Sequence, residues 1–155
     1  NYADGDLAVL HELHSSDRTL MGLSDAGAHC GAICDGGMPT FMLTHWTRDR
    51  KRGPLLPLER IIRRQTRDTA RLYGLDDRGV LARGMRADVL VIDYDKLGFG
   101  KPELAFDLPA SGRRLLQRAT GYDATIVGGV VVAEHDTPTG ALPGKLIRGA
   151  QPAPS

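Results

Sequence analysis

The hydrophobic periodicity changes at Gly74, and that change restricts the chain to a mixed α/β fold. Upstream, residues 57–73 repeat at helical spacing: Leu58, Ile61, Ile62, Gln65, Thr69 and Leu72 mark one mostly apolar face. Arg60, Arg63, Arg64, Arg67 and Arg71 fall largely on the other face, which predicts a solvated arginine stripe. Gly74 then supplies the left-handed stop that ends a helix. Downstream the units are short and bounded by turns. Val80-Leu81 and residues 87–93 predict strands. Residues 123–127 and 130–132 predict a hairpin on Gly128-Gly129. Residues 94–122, broken by glycine and proline, predict irregular structure, and the proline-bearing tail from Thr137 predicts extended chain.

Three further elements precede the 57–73 helix. Residues 6–14 predict a short helix capped by Asp6. Thr19-Leu20-Met21-Gly22-Leu23 has no polar alternation, as in a strand buried on both faces of a parallel sheet. It runs into Ser24-Asp25 and a glycine-rich loop to Gly37, and then into a helix over 39–50 with Pro39 in its first turn. The opening, Asn1-Tyr2-Ala3-Asp4-Gly5, lacks a start residue and a leader pattern, so the expectation is a segment of a longer polypeptide.

A domain of 155 residues can bury roughly 70% of its unfolded surface, enough for a real core. A net charge of +1 gives no global attraction to nucleic acid or anionic membrane. No apolar run reaches the roughly 20 residues of a membrane span. Two cysteines exclude a disulfide scaffold and fit a reducing, cytoplasmic setting.

Asp25 is the sharpest chemical candidate. A carboxylate just past a buried parallel strand stands where α/β enzymes bind metals or take protons. His29, Cys30 and Cys34 cluster in the same loop, but Cys-x3-Cys with one histidine falls short of a four-ligand zinc site; His29 could instead contact substrate. His11-Glu12-Leu13-His14 is one residue short of the zinc-protease motif, which predicts a surface helix end. From Arg48 to Arg71 nine basic residues face three acidic ones, a stripe that could meet phosphates but lacks aromatic interleaving and a phosphate loop.

Gly22-Leu23-Ser24-Asp25-Ala26-Gly27-Ala28-His29 resembles the strand-eight signature of the amidohydrolase superfamily, in particular its N-acyl-D-amino-acid deacylase (D-aminoacylase-like) branch. His45-Trp46-Thr47-Arg48, the run Gly79 to Asp93 and Thr125 to Val131 are similar in the same order. The resemblance implies a metal-dependent hydrolase: a (β/α)8 TIM barrel with a β-sandwich composed from both ends of the polypeptide. A whole barrel needs roughly 250 residues, so this chain would be the C-terminal part. Residues 1–75 would end the barrel, with helix seven at 3–14, strand eight at 19–23 and helix eight at 57–73. Residues 76–155 would belong to the small β-domain.

The same resemblance implies zinc, most of its ligands lying elsewhere in the parent, and hydrolysis of a non-peptide C–N bond in a small amide. Asp25 would be the catalytic and metal-site carboxylate and His29 a substrate contact. The branch carries Pro-His-Pro-Arg shortly after this aspartate, whereas here the region reads Ile33-Cys34-Asp35-Gly36-Gly37. The expected partner is the missing N-terminal polypeptide or a second copy of the chain. Readings of other classes are a non-catalytic β-rich scaffold or oligomerisation module, and a weak anion or nucleic-acid binder.

Overall fold

A computed structural model describes residues 5–22, 24–26, 31–32 and 35–154. It is a mixed α/β structure. The helices are α1 (Ala8–Ser15), α2 (Met38–Thr44) continued by a π-helical stretch His45–Asp49, and α3, which runs Leu58–Arg63, widens into π turns over Arg64–Asp68 and closes with Thr69–Leu72. Asp6 accepts the Ala8 N–H at 2.9 Å, so it serves the start of α1 from one position further out than a regular cap. Pro39 lies in the first turn of α2. At the end of α3, Leu75 N–H donates to Ala70 C=O at 2.9 Å and Gly74 N–H to Arg71 C=O at 3.0 Å, a Schellman motif on left-handed Gly74 (φ 67°).

The packed face of α3 differs from the single-period expectation. Ile61 is fully buried, but so is Arg64, while Ile62 is 46% exposed and Leu72 67%. Ile62 follows Ile61 by about 100° around the helix, enough to carry it off the contact. The widened turn at Arg64–Asp68 inserts one extra residue, which rotates Leu72 away and brings Ala70 in. The arginine stripe is likewise not a uniform solvated face.

Thr19 to Gly22 form no strand; Leu23 lies outside the described residues. A parallel strand needs neighbours to take its N–H and C=O groups, and no described segment pairs with this one. Val80-Leu81 also forms no strand and stays exposed.

The β-half is built on antiparallel pairs. The main sheet has the order β1 (Val89–Ile92), β6 (Tyr122–Val127), β7 (Val130–Glu134), β8 (Thr137–Pro138). Val89 faces Ile126, and Val127 faces Val130 across Gly128-Gly129, both left-handed, as the hairpin signal required. Residues 94–122 are more regular than expected. β2 (Gly98–Phe99) pairs with β5 (Ala119–Thr120), and β3 (Glu103–Leu108) with β4 (Gly112–Leu116). The β3–β4 turn uses left-handed Ala110 and Ser111 rather than glycine or asparagine, so Pro109 and Gly112 mark a break without specifying a hairpin.

One core joins the two halves. Met42, Leu43 and Trp46 of the α2 segment pack with Leu56, Ile61 and Leu97, flanked by Ile92, Tyr94 and Tyr122. Thr40 and Tyr122 hydroxyls meet at 2.7 Å, and Arg48 donates to the carbonyls of Tyr94 and Leu97. Gly121 (φ 82°) lets the chain pass Leu97: a Cβ there would stand 2.6 Å from the Leu97 Cα. The tail returns to the end of α3, where Gln151 N–H donates to Gly74 C=O at 2.7 Å and Asp76 N–H to Gln151 C=O at 2.9 Å. Among the described residues no helix is long and apolar enough to cross a membrane.

Candidate functional site

The loop carrying Asp25 is held against the turn that starts α2. Asp35 N–H donates to Asp25 C=O at 3.0 Å, and Asp35–Gly37 forms a 3₁₀ turn leading into Met38. Asp25 is exposed. It lines a cavity of about 540 Å³ with Ser24, Asp35, Gly37, Met38, Phe41, Phe99, Pro102 and Gln117. The cavity therefore takes one wall from the loop and α2, and the other from β2 and the residues around it.

That second wall is fixed by short contacts. Phe99 tilts against Phe41 with ring centroids 6.5 Å apart. Phe41 in turn stacks on His45 at 4.6 Å. Gln117 donates from Nε2 to Gly100 C=O at 2.9 Å, which turns its Oε1 toward Gly37; a Cβ at position 37 would come within 2.8 Å of that oxygen. Gly37 is thus the residue that lets the amide sit beside the α2 entrance. Phe99 and Gln117 lie far beyond Asp25 in the chain, and nothing in their local sequence marks them as partners of Asp25.

His29, Cys30 and Cys34 lie outside the described residues. Zinc, which the resemblance implies, is not fitted by the described side chains alone. Asp25 and Asp35 share the cavity, but among the described residues no three His, Cys, Asp or Glu side chains could hold a metal ion together.

His11 and His14 are not a surface helix end. Their i, i+3 spacing puts both on the packed face of α1, where the rings lie 6.2 and 5.2 Å from the ring of Trp46. His45 meets the same indole edge-on at 5.2 Å, and Arg50 covers it at 4.6 Å. Burial first, then the positive charges of Arg64 and His11, hold the His14 pKa below the ordinary histidine value. Burial first, then Arg50, lowers His45 against an opposing pull from Asp49. Arg50 also donates to the carbonyls of Asp6 and Arg52. Arg60 donates to Ser15 C=O at 2.6 Å and pairs with Asp17 at 2.9 Å. Several arginines of the stripe therefore cross-link α-elements to loops, a use their charge pattern alone does not distinguish from solvation.

A model of the amidohydrolase family matches residues 7–133. An uncharacterised protein of Mycobacterium tuberculosis and one of Mycobacterium bovis are each 35% identical over 132 residues, covering 79% of this chain and 21% of theirs. An allantoinase of Streptomyces avermitilis is 28% identical over 129 residues, 83% of this chain and 26% of that protein. This chain thus spans about a fifth to a quarter of the length of these relatives. No solved structure matches it. With the match extending from α1 through the Asp25 loop to β7, the chain belongs to the amidohydrolase family.

Proposed function

We propose that this chain is the C-terminal part of a hydrolase acting on an amide-type carbon–nitrogen bond, with Asp25 as its proton-transfer group. The observation that carries the reading is the place of Asp25: within the family match, on a loop tied to the start of α2, lining a cavity of about 540 Å³. In hydrolysis the oxygen of a water bonds to the carbonyl carbon while the C–N bond breaks. The Asp25 carboxylate accepts the proton that this water sheds and delivers it to the departing nitrogen, so base and acid roles fall on one group. The likeness to an allantoinase supports an amide-type substrate.

The finer parts of the reading are also proposals. Residues 1–75 close a (β/α)8 barrel and 76–155 contribute to a β-sandwich. Zinc is the cofactor of the intact parent, with Asp25 at the metal site and most of the ligands supplied by other segments, and His29 contacts the substrate. An N-acyl-D-amino acid rests on the resemblance of Gly22–His29 and His45–Arg48 to that branch, although the region Ile33-Cys34-Asp35-Gly36-Gly37 lacks the branch's arginine. The parent is proposed as cytoplasmic.

Asp25→Asn in the intact parent keeps the shape and removes the base. The expected result is a fall in kcat of about 10² to 10⁴. The thermal midpoint should stay nearly unchanged, because Asp25 is exposed. Turnover near the unsubstituted level would overturn the role.

A further inference from the structure

The β-half contributes a wall to the cavity of Asp25. We infer that Phe99 and Gln117 are specificity-determining residues, forming with Phe41 a slot for a flat, apolar group next to the amide that is cleaved; this rests on the function proposed above.

Three observations support it. The cavity, about 540 Å³, is large enough for a small-molecule group. Its body is apolar: Met38 and Phe41 line it on the α2 side, Phe99 and Pro102 on the β side. The two phenyl rings stand 6.5 Å apart at 53°, and Phe41 is backed by its stack on His45, so the helix-side ring is braced. A planar group entering beside them would meet ring faces and edges, the geometry in which aromatic pairs attract.

Gln117 adds direction. Its Nε2 is engaged by Gly100 C=O, while its Oε1 is packed against Gly37, where a Cβ would stand, at the wall of the cavity. That leaves a fixed acceptor at the rim, suited to an N–H of a bound amide. The loop wall carries Asp25, so a ligand held by ring and acceptor on the β side presents its amide to the carboxylate side. The β-domain then selects substrates while the loop performs the chemistry.

Benzamide and acetamide serve as probes because they share the amide and differ in the ring. Binding to the 155-residue chain can be followed through the backbone signals of Gly37 and Gly100. The expected result is affinity for benzamide roughly tenfold above that for acetamide, with Phe99→Ala reducing the ratio to about twofold or less. Should Phe99→Ala not fold, Phe99→Leu and Gln117→Ala replace it, each expected to at least halve the ratio. Equal binding of the two amides, or an unchanged ratio in a folded variant, would overturn the slot. Asp25→Asn separates the two readings. It should lower turnover in the intact parent by about 10² to 10⁴ and leave the benzamide preference in place. Turnover retained in Asp25→Asn sinks the proposed reaction, whereas lost turnover with a ratio insensitive to Phe99 sinks the slot alone.

Discussion

Arg64 and Ile62 sit two positions apart on α3 with opposite fates. Arg64 is 4% exposed, donates to the Thr19 hydroxyl at 3.3 Å and reaches Asp17 at 3.9 Å. Asp17 itself is open to water, so its ion pair adds little; the buried stem and the charged donor account for the residue's worth. Arg64→Ala is expected to cost about 1.5–3 kcal/mol, the range for hydrogen bonds to charged groups. Ile61→Ala, at a fully buried site, is expected to cost about 2–5 kcal/mol. Ile62→Ala should change stability by roughly 0.5 kcal/mol or less, as at other surface positions. Denaturant midpoints measure the order, and an Ile62 effect above that of Arg64 would contradict the packing. The amino-acid sequence suggests the opposite order, since isoleucine is ordinarily inside and arginine outside. Asp25 stands out locally in the sequence, as a carboxylate between an apolar run and a glycine-rich loop. Phe99 and Gln117 do not, because only the fold brings them to it.

At the scale of elements, α1 is held to the α2 segment by a cluster of rings. His11, His14 and His45 surround Trp46 with Arg50 over the indole and Arg64 nearby; Asp49 is the acidic group beside His45. Among the described residues, the buried Nε2 of His45 has no hydrogen-bond partner, so no acceptor waits there for a proton. His14 and His45 have folded-state pKa values below those of the unfolded chain. The unfolded chain therefore takes up protons first as pH falls. Their stabilising contribution is complete above about pH 6.5 and is lost progressively below it. The denaturant midpoint should be lower at pH 5 than at pH 8, and His14→Gln with His45→Gln should flatten that difference. A midpoint that rises on acidification would contradict the cluster. The helices themselves were readable from period and caps. The β3–β4 hairpin was not, because Leu104 and Phe106 on its face are exposed and its turn lacks glycine at the left-handed positions.

On the scale of the whole molecule, apolar surface is left uncovered on several elements: Leu72 and Tyr73 at the end of α3, Leu104 and Phe106 on β3, and Leu142 in the tail. Soluble monomers rarely leave contiguous patches beyond a few hundred Å². The isolated chain is accordingly expected to self-associate or to bind the remainder of its proposed parent. Light scattering on the 155-residue chain checks this, and a dispersed monomer at high concentration would mean that it closes its own core. The tail has a separate effect. By joining Gly74 and Asp76 to Gln151, it turns everything from Leu75 onward into a closed loop in the sense of chain statistics. The entropy of closing such a loop grows only with the logarithm of its contour, about 0.6 kcal/mol for each doubling of length. The β3–β4 turn lies inside that loop and is exposed. Insertions or deletions there would barely alter the probability that the two ends meet, so this part of the polypeptide can change size while the end of α3 keeps its hold on the tail.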